Sequence, residues 1–178
     1  ARNTLSRTGV CLLAHATVLL GDLSSHAEDQ PTGKERIRQA VDFGLKTIEK
    51  SIAEYPEHRT CFSCHHQTLP MQAMVVAREF GFKIDERLLR AQTKLTLDTF
   101  KARRANLNDG TGIGGGSMTV GFGLWALDLG AWEKDDTTSA MIRFLLKEQM
   151  QDGHFSSNVR RPPLEDSTVT STAVAAYY

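Results

Sequence analysis

Gln149-Met150-Gln151-Asp152-Gly153-His154-Phe155 (QMQDGHF) joins an amphipathic stretch to a run of small residues, and its chemistry defines the joint. Gln149 can tie off a helix end, Asp152-Gly153 favours a turn, and the aromatic ring can pack between neighbouring hairpins. Upstream, Met141, Phe144, Leu145 and Met150 fall at helical spacing. Downstream, residues 168–176 are small and apolar enough to form a more buried helix. The heptapeptide is thus the corner of a helical hairpin.

The same unit recurs along the chain. Ile37, Ala40, Val41, Gly44, Leu45 and Ile48 follow the i, i+3, i+4 pattern of an amphipathic helix, and Leu88, Leu89, Ala91, Leu95 and Leu97 begin another. Between the amphipathic helices lie apolar ones over 69–80 and 118–129. Ala40, Ala91 and Ala140 mark a period of about fifty residues, as do Gly81 and Gly130, each suited to end a helix in the left-handed conformation. Such a period predicts stacked helical hairpins, with the apolar helices forming the more buried set. The expected class is all-α, and the repeat domain spans 35–178 as about three hairpins.

The pattern around Gln149 resembles the QxxDGxW repeat of squalene cyclases and the related protein prenyltransferases, with His154-Phe155 where that family has an aromatic, most often Trp. The resemblance implies an α/α toroid, an outer ring of helices around an inner one; three hairpins make a partial, incomplete ring. It does not bring the cyclase acid with it. Those enzymes protonate substrate from a DxDD motif, and the nearest string here is Glu133-Lys134-Asp135-Asp136-Thr137-Thr138, placed before an amphipathic helix. Asp135 or Asp136 suits an N-cap there, and Asp166 stands in another capping context. The catalytic residues are unknown, and the enzyme question stays open.

The strongest chemical signal is Cys61-Phe62-Ser63-Cys64-His65. CxxCH is the attachment motif of c-type haem: two thiols add to the vinyl groups and the next histidine ligates iron. The assignment expected is covalent haem c on Cys61 and Cys64 with His65 on the iron. Three rivals stand beside it. Zinc could take Cys61, Cys64, His65 or His66 and a remote ligand such as His154. The two thiols could form a redox disulfide, or the cluster could simply pack at a corner. For a sixth iron ligand the sequence offers Met71, Met74 and His154. The run 61–70 (CFSCHHQTLP) also resembles a segment of exported bacterial proteins carrying squalene-cyclase-like repeats. The function expected is an exported helical-repeat haem protein for electron transfer, sensing or ligand binding. A terpenoid-cyclase-like fragment whose acid lies elsewhere, and a non-catalytic scaffold with structural zinc, are the alternatives.

The amino terminus supports export. Arg2 and Arg7, the apolar run 9–21 and the small-x-small site Ser25-His26-Ala27 read as a signal peptide over 1–27, followed by a polar linker over 28–34. That places the protein in the periplasm or outside the cell, where haem c is assembled and thiols oxidise. The chain starts without methionine and stops in an apolar run, so a C-terminally truncated fragment is expected.

Composition narrows the partners. The 178 residues carry 21 Lys plus Arg against 21 Asp plus Glu, so no net field favours nucleic acid. No apolar run reaches the roughly 20 residues that span a bilayer. A redox partner or an apolar small molecule is the expected company. The glycine-rich run 109–116 lacks the lysine of a phosphate loop and any preceding strand, so it reads as a rim loop. Lys101, Arg103 and Arg104 read as a solvated helix end. The corner loops at Cys61, at the glycines and at His154 should share one rim.

Overall fold

A computed structural model of the chain describes residues 32–59, 62–156, 158–159 and 166–178, so the expected signal peptide, most of the linker, and Cys61 lie outside the described residues. Within them the chain forms helices α1 (Gly33–His58), α2 (Cys64–Glu79), α3 (Glu86–Ala102), α4 (Arg104–Asp109), α5 (Gly116–Leu129), α6 (Asp136–Glu148) and α7 (Thr168–Tyr177). No strand occurs among the described residues; Gln149 and Phe155 make an isolated bridge. The protein is all-α, as the periodicity requires.

Helices begin where a side chain satisfies the first free amides. Thr32 and Glu35 form a reciprocal capping box that starts α1 inside the expected linker. Asp85 accepts from the amides of Arg87 and Leu88, at 2.9 and 3.0 Å, to start α3. Asp135 does the same for α6 through Thr137 and Thr138, at 2.8 and 2.9 Å, and Ser167 caps α7. The acidic string before α6 is therefore a cap. Asp136 beside it points outward, its side chain 95% exposed and 3.9 Å from Arg104.

The repeat is real, but its landmarks are the turns rather than the alanines. Ala140 is fully buried, whereas Ala40 and Ala91 are exposed. The turn after α2 pairs the Phe82 amide with the Ala77 carbonyl and the Gly81 amide with that of Arg78. The turn after α5 repeats both bonds, from Trp132 to Leu127 and from Ala131 to Asp128. Both are Schellman closures leading to an aspartate cap, and Asp85 and Asp135 stand fifty residues apart. The left-handed residue is Gly81 in the first turn and Ala131, at φ 51°, in the second. Gly130 has an ordinary φ of −83°, which corrects its assigned role. It is needed instead for clearance, since a Cβ there would lie 2.0 Å from the Thr93 hydroxyl.

α5 packs between α2 and α7, while α3 and α6 cover its other side and α1 lies against α2 and α3. α5 is apolar on every face, as a helix surrounded by others must be, and ten of its fourteen residues are buried. The expected order of burial holds for α5 but not throughout. α6 buries six of thirteen residues against five of sixteen in α2. α2 packs chiefly on α5 and more lightly on α1 and α3, and Leu69 stays 42% exposed; α6 is covered by α3, α4 and α5. Position in the stack, not apolar content alone, decides exposure.

Gly123 shows how tight the centre is: a Cβ there would fall 2.2 Å from the Phe100 ring and 2.9 Å from the Met141 methyl. Gly123→Ala should cost about 1–3 kcal/mol by overpacking. Gly44→Ala, in α1 with nothing within 4 Å of the new methyl, should stabilise by about 0.5–1 kcal/mol. Urea unfolding of the two variants checks the pair of opposite signs.

Candidate functional site

Cys64 and His65 occupy the first turn of α2, which starts five residues before the expected Leu69. Pro70 therefore lies inside the helix, where it cannot donate to the His66 carbonyl. Ser63 is the N-cap position but its side chain makes no capping bond. Its amide donates instead to Gln67 Oε1 at 2.7 Å. Gln67 Nε2 donates to Gln92 Oε1 at 2.8 Å, and Gln92 Nε2 to the Ile52 carbonyl at 3.0 Å. Both glutamines are buried, and they chain α1, α3 and the start of α2 together. A buried amide that lacks a partner is costly, so this chain fixes where Cys64 and His65 emerge.

They emerge into a cleft of about 640 Å³, a size usual for small-molecule sites. Its deep lining is Phe62, Phe100 and Ile113, all buried. Phe62 and Phe100 meet at 5.4 Å between ring centroids, tilted by 54°. Cys64, His65 and His66 line one wall. The His66 ring stacks on Tyr55 and touches that of His65. Arg59 and Arg103, both exposed, stand at the mouth.

The opposite wall is the glycine-rich loop. Ile113, Gly114 and Gly115 line the cleft together with Thr119 of α5. Gly115 has φ +82°, and a Cβ there would strike the Thr119 hydroxyl at 2.1 Å. Its hydrogen leaves that hydroxyl room to sit 3.4 Å from Cys64 Sγ. The loop is thus a backbone wall that lets α5 reach the cysteine, in keeping with the rim reading and not with a phosphate loop.

The third corner reaches the same end of the stack. Gln149 ends α6, and its side-chain amide donates to the Gly153 carbonyl at 3.0 Å across the turn. Phe155 is buried in the core, its amide held by the Thr172 hydroxyl of α7. Ser117 donates to the Ser156 carbonyl and Asn158 to that of Ile113, and Val159 lines the cleft. The corner works as its residues foretold.

Not every candidate ligand arrives. His154 does not line the cleft; its Nδ1 is engaged by Asp152, and that hydrogen bond holds the Asp152 carboxyl below its usual range. Met71 and Met74 are fully buried in the core and also lie outside the lining. Among the described residues no group of three His, Cys, Asp or Glu is placed to hold a metal ion; Cys61 is not one of them. The structure adds Phe62, Phe100, Thr119, Arg59 and Arg103 to the site. Arg103 carries the only hint legible in the chain, a cation ending α3, and that hint suited a solvated terminus equally well.

Comparison with known proteins returns no match: no family model, no curated protein and no solved structure aligns significantly with the chain. The all-helical class stands on the structure itself. Among the described residues no helix is long and apolar enough to cross a membrane.

The glutamine chain gives a direct test. Gln92→Leu leaves the Gln67 amide and the Ile52 carbonyl unsatisfied and should cost about 1–3 kcal/mol in urea unfolding. Lys94→Ala, on the exposed face of the same helix, should change stability by less than about 0.5 kcal/mol.

Proposed function

We propose that the cleft holds a c-type haem linked covalently to Cys61 and Cys64, with His65 as the protein ligand to iron, in an exported helical-repeat protein. The observation that carries this reading is the meeting of Cys64 and His65 with an apolar floor and two arginines in one cleft of about 640 Å³. The donor set suits the group: a thiol and an imidazole on consecutive residues, with the second thiol three positions earlier in the chain. Bound there, haem supplies one-electron transfer or the binding of a small ligand at iron.

The chain's own residues do the holding. The Gln67–Gln92 chain fixes the first turn of α2, so Cys64 and His65 keep one position. Thr119 brings its hydroxyl within 3.4 Å of the Cys64 sulfur, a polar contact from α5 that helps hold the sulfur in place. Phe62, Phe100 and Ile113 exclude water from the inner side, which raises the energetic weight of any charge there. The signal-peptide reading of residues 1–27 brings this cluster to the compartment where thioether links are made. We place the hairpins in a partial α/α toroid of the squalene-cyclase type.

A second reading rests on another place. Gln72, Trp125, Val174 and Tyr178 line a hollow of about 380 Å³ between α2, α5 and α7, where an apolar small molecule would fit a terpenoid-cyclase-like enzyme. The capping role of Asp135 weakens it, because the nearest match to the cyclase acid is spent on a helix end. A zinc-bearing scaffold is the third reading.

Peroxidase staining on a denaturing gel separates them, using protein exported from cells that assemble haem c. The chain should retain haem after denaturation, each single variant Cys61→Ala and Cys64→Ala should keep one link, and the double variant should lose haem altogether. His65→Ala should spare attachment and alter the absorption spectrum. One tightly bound zinc and no haem mass would replace this reading with the scaffold.

A further inference from the structure

We infer that Arg59 and Arg103 form an anion-binding edge at the mouth of the cleft, so that its ligand is apolar on one side and carries carboxylates on the other. The inference rests on the reading of the cleft as a ligand site and goes on to assign the ligand's charge and orientation. Arg59 follows α1 and Arg103 ends α3, so two separate elements each contribute an arginine to the cleft lining, and Arg59 Nη1 donates to the His58 carbonyl at 3.3 Å. Among the described lining residues the ionisable side chains besides Cys64 and Tyr55 are these two arginines, His65 and His66, and no carboxylate joins them. A cleft whose formal charges share one sign concentrates counter-charge.

The burial gradient gives the orientation. Phe100 and Ile113 are 1% and 4% exposed at the floor, whereas both arginines are exposed. An apolar body going inward therefore leaves its polar edge beside the guanidinium groups. Arginine's planar fork matches a carboxylate through two parallel hydrogen bonds, which lysine cannot reproduce. For haem the edge would carry the two propionates. The arginines act by orienting the ligand, leaving attachment to the thiols.

The test uses the full chain produced without haem-attachment machinery, so that the cleft is open, and two probe pairs that differ chiefly in charge. Protoporphyrin IX, a dicarboxylic acid, is titrated against its dimethyl ester. 8-Anilinonaphthalene-1-sulfonate is titrated against N-phenyl-1-naphthylamine, which lacks the sulfonate. The anionic member of each pair should bind at least about tenfold tighter, a difference of roughly 1.4 kcal/mol. The double variant Arg59→Gln, Arg103→Gln should bring both ratios near one, and the matching lysine variant should keep part of the preference. Gly114→Leu, where an added Cβ meets nothing within 4 Å, should weaken all four probes and so place them in the cleft. A wild-type ratio near one, an unchanged ratio in the glutamine variant, or no binding by either pair overturns the inference. Loss of porphyrin binding alone, with an arginine-dependent preference in the naphthyl pair, removes the haem reading and upholds the anion-binding edge. Covalent haem with charge-blind probes does the reverse.

Discussion

Phe100 belongs at once to the core and to the cleft, and that double duty ties the fold to the site. Its ring enters α5 where Gly123 leaves room, and it meets Phe62 just before the first turn of α2. A helix apolar on all faces is stable only when surrounded, so α5 demands α2, α3, α6 and α7 around it. Once they are in place, the end of α3, the glycine wall and the start of α2 converge on one opening. The cleft is a consequence of closing the core around α5. It needs no domain of its own.

Two kinds of interaction then divide the work. Apolar burial, worth about 25 cal/mol per Å², holds the hairpins together without specifying the cleft's chemistry. The buried Gln67–Gln92 chain does specify it, since its three hydrogen bonds tie Ser63, Gln67, Gln92 and Ile52 to one another. Buried polar chains of this kind contribute uniqueness more than net stability. The Thr119 hydroxyl beside Cys64 adds a second fixed point from the opposite wall.

The helices and their hairpin order were legible because they follow from local rules, namely apolar spacing, aspartate caps and glycine turns. Asp135 as a cap, Phe155 as a packed aromatic and the shared rim of the three corners all come from such rules. The period was legible too, but at the wrong residues: alanine is tolerated on any helix face, so Ala40 and Ala91 sit exposed while the Schellman turns keep the register. The early start of α2 was hidden because Cys64 to Gln67 is polar in sequence and becomes helical through partners in α1 and α3. Arg103 was hidden for a similar reason, since nothing local distinguishes a helix-ending cation from one beside a cleft. Tertiary contacts assigned both, and local spacing carries no record of them.

The account centres on one claim, that this cleft is a haem c site. The most direct measurement is the pyridine haemochrome spectrum of the exported wild-type chain after acid–acetone extraction, with haem quantified against protein. The account predicts a thioether-type spectrum that stays with the polypeptide, at one haem per chain. A haem-free chain, from cells that load a control cytochrome c in the same preparation, would contradict it.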